Sequence, residues 1–157
     1  MREQVGALYM HQPWKIGELG LAHIPRYVRV NTLLWTTEEA IRHYQKEGFQ
    51  ISDPFSSESV FHLPLSRPCS PTHRKSFARD EHVPDLLLFN PHMQFHSDLH
   101  YKAGKIILQD KASCFPAIVL APPSSDHAVV IDATAAPGNK TSHLSALMGG
   151  KGKVMPV

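Results

Sequence analysis

The hydrophobic pattern predicts strands and helices that alternate along the chain, with one long proline-rich interruption. Apolar and polar residues alternate over 26–33, as in a strand with one buried face. Short apolar runs at 86–89 and 105–109 predict further strands, and 49–51 can begin another. Prolines and serines punctuate 52–85, so we expect a long loop or irregular excursion there.

The first predicted helix carries signals at both ends. Thr36 is a suitable N-cap, and Glu39 three residues later completes a capping box. Gly48 suits the left-handed position that follows a last helical turn. The first half of the chain therefore has a strand–helix–strand character.

A second helix is predicted before the next strand. Asp110 or Ser113 can cap it, and it runs through 114–120 with Pro116 expected in its first turn. The pair at 122–123 is Pro-Pro and ends this helix.

The stretch 129–147 reads as a strand, a tight loop and a helix. An apolar run ends in Asp132, small residues fill 133–138, and a helical pattern begins at Lys140. This unit opens doubly wound nucleotide-type folds, and its helix N-terminus can bind a carboxylate or phosphate. A plain strand-to-helix turn without a ligand is the alternative. The phosphate-loop pattern fails because Asn139 separates Gly138 from Lys140, and the dinucleotide fingerprint lacks two of its glycines.

Composition narrows the class of protein only slightly. The chain has 157 residues, which is enough for one domain or two small ones. Its net charge of +2 argues neither for nor against nucleic-acid binding. Its 11 histidines lack metal-ligand spacing, and its two cysteines cannot form a disulfide framework. No apolar run approaches the roughly 20 residues that span a membrane. We therefore expect no metal site, no membrane segment and a reducing compartment, with 1–25 as an irregular N-terminal arm.

Three blocks together resemble one enzyme family. RYVRVNTL, ILQDKASC and DATAAPGNKTSHL occur in the order found in the RsmB/Sun-domain RNA (cytosine-5)-methyltransferases. The resemblance is closest to the Sun-domain member five branch, which modifies large-subunit ribosomal RNA, and it covers about 26–154. It implies an α/β chain in which a small RRM-like α+β subdomain, 26–100, faces RNA. Residues 101–157 would then be the incomplete start of a Rossmann-like S-adenosylmethionine methyltransferase fold.

The resemblance also implies ligands and site residues. S-adenosyl-L-methionine would bind through the loop residues Thr134, Ala135, Ala136, Pro137, Gly138, Asn139 and Lys140. RNA, in this branch large-subunit ribosomal RNA, would contact Arg26, Arg29 and Asn31, although solvated or capping roles are an equal alternative for these three. Such a substrate implies a nuclear, nucleolar location.

The chain departs from the family at the cofactor loop and beyond it. The family usually has cysteine at the position of Thr134 and an acidic residue where this chain ends in Met-Pro-Val at 155–157. Its two catalytic cysteines lie downstream of the cofactor loop, whereas Cys69 and Cys114 precede it and have no evident activating base. We therefore expect no catalytic residue and a portion of a methyltransferase that is inactive as this chain. A non-catalytic RNA-binding or interaction module and a non-functional fragment are the alternatives, and the oligomeric state stays open.

Overall fold

The computed structural model of the protein describes residues 24–52 and 75–157. A five-stranded sheet occupies the first half of this part, with strands β1 (Arg26–Val30), β2 (Gln50–Ile51), β3 (Ser76–Arg79), β4 (Leu86–Phe89) and β5 (Ile106–Leu108) in the order β2-β3-β4-β1-β5. Strand β1 is antiparallel to β4 and β5, and β3 is antiparallel to β4. Helices α1 (Thr37–Lys46) and α2 (Leu99–Lys102) complete a ferredoxin-like unit, to which β2 adds a parallel edge strand.

Helix α1 begins and ends where the sequence predicts. The Thr36 hydroxyl accepts a hydrogen bond from the Glu39 amide at 3.2 Å, and the Glu39 carboxylate accepts one from the Thr36 amide at 3.0 Å. This reciprocal pair is the expected capping box. Gly48 follows the helix with φ of 85°, a conformation that costs other residues a steric clash.

The two faces of the sheet are covered by different helices. Val28 and Val30 point to the α1 face, where Tyr44, Phe77 and Phe89 complete an aromatic core. Since strand side chains alternate, the intervening β1 residues point to the opposite face. There helix α3 (Lys111–Leu120) covers the sheet, and its Cys114 lies in a small apolar cluster with Val83 and Leu86.

The second half forms a separate layer of parallel structure. Strands β6 (Val129–Asp132) and β7 (Lys153–Pro156) pair in parallel, and helix α4 (Asn139–Leu147) connects them. One side of this pair packs on α3 and α4 through a core of Ala117, Val130, Leu144 and Met148. The other side leaves apolar residues exposed, among them Val129, Ile131 and Met155. The strand–loop–helix predicted at 129–147 is confirmed, as is the mixed α/β class.

The structure corrects two local expectations. Strand β3 lies within the stretch read as a loop, and its Phe77 is fully buried against Phe89. Pro116 lies in the second turn of α3 rather than the first, because the helix already begins at Lys111. Pro156 ends β7 opposite Asp132, and β6 is the one described neighbour of this strand, so the missing N–H of the proline is tolerated there.

Two expectations fall on residues that are not described. These are the proline-rich segment 53–74, which includes Cys69, and nearly all of the predicted N-terminal arm.

A candidate cofactor site between the two sheets

The loop between β6 and α4 is fastened at both ends by Asp132. One carboxylate oxygen accepts a hydrogen bond from the Thr134 amide at 3.0 Å, and the other accepts one from the Thr141 hydroxyl at 2.6 Å. These bonds, the Thr141 bond most of all, favour the ionised carboxylate and lower the pKa of Asp132 below its ordinary value. The strand end therefore holds the loop in one shape.

The loop leads into a helix N-terminus that no side chain caps. Gly138 is the N-cap of α4 and has φ of 106°. A Cβ built on Gly138 would meet nothing within 4 Å, so this glycine serves the backbone conformation and not a close contact. The first N–H groups of a helix lack intrahelical partners and carry partial positive charge. The turn is thus shaped to receive an anionic group.

Two clefts border the loop. The larger has a volume of about 830 Å³. Its lining includes Ala135, Gly138 and Thr141, the residues 150–152 just before β7, and Pro156 at the end of that strand. The smaller, of about 430 Å³, lies between the loop and the ferredoxin-like sheet and is lined by polar groups that include Arg26, Gln109, Asp110, Asn139 and Lys140. Six of the seven predicted cofactor residues, 135–140, therefore line one or both clefts, whereas Thr134 is exposed and lines neither.

The three predicted RNA-contacting residues are separated by the structure. Arg26 is exposed and lines the smaller cleft. Arg29 is 0% exposed, and Asn31 is 9% exposed with its amide donating to the Gly104 carbonyl at 2.9 Å. In this structure both side chains make internal contacts and have little exposed surface, so Arg26 is the one of the three that is placed on the surface. RNA contact by Arg29 and Asn31 stays a prediction.

Arg29 instead joins the ferredoxin-like sheet to helix α4. Its Nε donates to Gln109 Oε1 at 2.7 Å, at the end of β5. Its Nη2 donates to Ser142 Oγ at 2.8 Å and to the Asn139 carbonyl at 3.3 Å, both in the first turn of α4. Burial lowers the pKa of Arg29 to about 10, which still leaves the guanidinium charged at neutral pH. The Gln109 partner lies in the QDKAS block, but nothing in the sequence indicated that Arg29 contacts it.

Cys114 is not arranged as a nucleophile. The thiol is fully buried, and this burial raises its pKa to about 11. Within the described ranges no cluster of potential ligands could hold a metal ion, and no helix there is long and apolar enough to cross a membrane.

Comparisons with known proteins agree with this architecture. The ferredoxin-like domain of NOL1/NOP2/Sun domain family member 5 matches residues 24–109, more than half of the 157 residues. The mouse 28S rRNA (cytosine-C(5))-methyltransferase is 44% identical over 131 residues, which is 83% of this chain and 26% of that protein. The corresponding 26S rRNA enzyme of Caenorhabditis elegans is 39% identical over 83% of this chain and 28% of that protein.

A solved structure is similar in three dimensions. The crystal structure of a methyltransferase homolog from Pyrococcus horikoshii superposes with a TM-score of 0.59 and 26% identity, covering 85% of this chain and 35% of that one. The chain thus spans only about a fifth to a third of the length of the relatives it matches. The ferredoxin-like sheet, the strand–loop–helix that follows it and the matched family domain lead to one conclusion: this chain belongs to the NOL1/NOP2/Sun domain family member 5 proteins.

Proposed function

We propose that these residues form the N-terminal and cofactor-loop portion of an S-adenosylmethionine-dependent methyltransferase that acts on C5 of cytosine in large-subunit ribosomal RNA. The observation that carries the proposal is the preformed loop 134–140, which presents an uncapped helix N-terminus between two open clefts. The mouse and worm relatives, named as rRNA (cytosine-C(5))-methyltransferases, support the substrate class.

The loop residues fit the amino-acid end of S-adenosylmethionine. The amide groups that follow Gly138 would bind its carboxylate, as helix N-termini bind anions. Ala135 and Ala136 have side chains small enough to let a ligand approach the backbone, while Asp132 and Thr141 hold the turn rigid. When bound, the cofactor supplies the activated methyl group. Thr134, in place of the family's usual cysteine, keeps this geometry because its backbone amide donates to Asp132, a bond that does not depend on the side chain.

Cofactor binding can be tested by titration calorimetry on the 157-residue chain. Gly138→Ala forces a Cβ into the left-handed region at the helix start and should weaken S-adenosylmethionine binding. Gly48→Ala is the matched control, since it imposes similar backbone strain (φ of 85°) at the end of α1. Equal binding by wild type and both variants, or no binding by wild type, would contradict the assignment of the loop.

RNA would lie along the smaller cleft, with Arg26 as a phosphate contact. Asp110 lines the same cleft, so the positive field is local. Each lost phosphate contact lowers the slope of log affinity against log salt by roughly 0.7 for single strands. Arg26→Ala should lower the slope for a ribosomal RNA oligonucleotide by about that amount, whereas the exposed α1 variant Arg42→Ala should not. Identical slopes for the three proteins would remove Arg26 from the interface.

As an isolated polypeptide the 157 residues are proposed to transfer no methyl group. Cys114 is buried, and its raised pKa disfavours the thiolate that a cysteine nucleophile needs. The measurement is transfer of tritiated methyl from S-adenosylmethionine to ribosomal RNA. Incorporation above background that disappears in Cys114→Ala or Cys69→Ala would refute it. Action on ribosomal RNA further implies that the protein is located in the nucleolus, which imaging of a tagged chain can test.

A further inference from the structure

We propose that Arg29 is a positioning residue for the cofactor loop, because its guanidinium fixes the first turn of α4 to the ferredoxin-like sheet. The identity of the ligand rests on the proposed function, whereas the mechanical link rests on contacts within the chain. Arg29 lies on β1, 110 residues before Asn139 and 113 before Ser142 along the sequence. The residue would make the cofactor site depend on the sheet of the neighbouring domain.

The hydrogen bonds converge on the turn that follows the loop. Arg29 Nη2 binds Ser142 Oγ at 2.8 Å and the Asn139 carbonyl at 3.3 Å, and Asn139 Nδ2 donates to the Leu108 carbonyl of β5 at 3.2 Å. Ser142 Oγ also donates to the Asn139 carbonyl at 2.9 Å. The first turn of α4 is therefore bound to β1 and β5 at both its backbone and its side chains, directly behind Gly138.

Packing alone does not account for an arginine at this position. The side chain is fully buried, and its three hydrogen-bond acceptors are the neutral oxygens of Gln109, Asn139 and Ser142. Its Nη1 has no hydrogen-bond partner within the described residues. An apolar side chain would fill such a site with less desolvation cost. What the planar guanidinium adds is direction, since one rigid group binds the end of β5 and the start of α4 together.

Hydrogen exchange on the full 157-residue chain tests the mechanical link without any ligand. In Arg29→Met, the amides of Ser142 and His143 should exchange about tenfold faster, whereas those in α1 should keep their wild-type rates, because only the tether of α4 is lost. Arg29→Lys should recover part of this protection. Arg42→Met, an exposed arginine on α1, is the matched control. Ser142→Ala removes one acceptor and leaves the Arg29 side chain in place. If Arg29→Met does not fold, faster exchange at α4 in Ser142→Ala tests the same link.

S-adenosylmethionine affinity of the same variants completes the test. The expected result is about tenfold weaker binding by Arg29→Met and a smaller loss by Ser142→Ala, with Arg42→Met unchanged. Unchanged exchange at α4 in both variants would overturn the proposal, as would unchanged affinity in variants whose α4 exchanges faster. Faster exchange at α4 combined with no binding by wild type would support the link and refute the cofactor assignment, so the two failures are distinguishable.

Discussion

His143 should make the protein lose stability as the pH falls from neutral. The ring is 1% exposed on α4, and neither of its nitrogens has a hydrogen-bond partner within the described part of the chain. Burial, with a smaller contribution from the Arg29 guanidinium, lowers the pKa of His143 from 6.5 to about 4. The unfolded chain binds this proton more readily, so the contribution of His143 to the free energy of unfolding is fully present only above the higher pKa. It is lost progressively as the pH falls from 6.5 toward about 4.

The size of the effect follows from the two pKa values. For a single group that titrates at 6.5 unfolded and about 4 folded, the loss between about pH 7 and about pH 5 is about 2 kcal/mol. Urea denaturation at a series of pH values measures it. His143→Leu removes the titrating ring and an unsatisfied buried polar group, so its unfolding free energy should be about 2 kcal/mol less sensitive over this interval. His127→Leu, at an exposed site before β6, should retain the wild-type dependence. Parallel curves for wild type and His143→Leu would refute the reasoning.

Three further predictions concern the ferredoxin-like unit and its neighbour. Thr36→Ala removes the capping box and should cost about 1 kcal/mol in urea denaturation, a loss that Thr36→Ser should largely avoid. Phe89→Ala should cost about 3 to 5 kcal/mol of unfolding free energy, because the centroid of its buried ring lies 4.9 Å from that of Tyr44 and 5.1 Å from that of Phe95. A loss below about 1 kcal/mol would contradict this core. Cys114 should react with a thiol reagent only after denaturant is added, and rapid modification of this residue in the native protein would contradict its burial.

Local signals in the sequence were sufficient for the elements that depend on near neighbours. The capping box of α1 joins residues three positions apart, and the loop before α4 is stabilised by Asp132 and the two threonines close to it. The alternation in β1 likewise predicts a strand with two different faces. Strand β3 was not predicted because its short buried pair, Phe77 and Ala78, acquires strand character from pairing with β2 and β4, which the sequence does not show.

The sequence by itself determined the order of the elements, the capped first helix and the small-residue loop that a ligand could approach. Only the tertiary structure decided what covers each face of β1. A charged residue on a strand is ordinarily read as exposed, and that reading suits Arg26. Arg29 is buried because α3 and the first turn of α4, distant along the chain, pack on its side of the sheet. Gln109 and that first turn of α4 supply the acceptors that make burial of a cation tolerable.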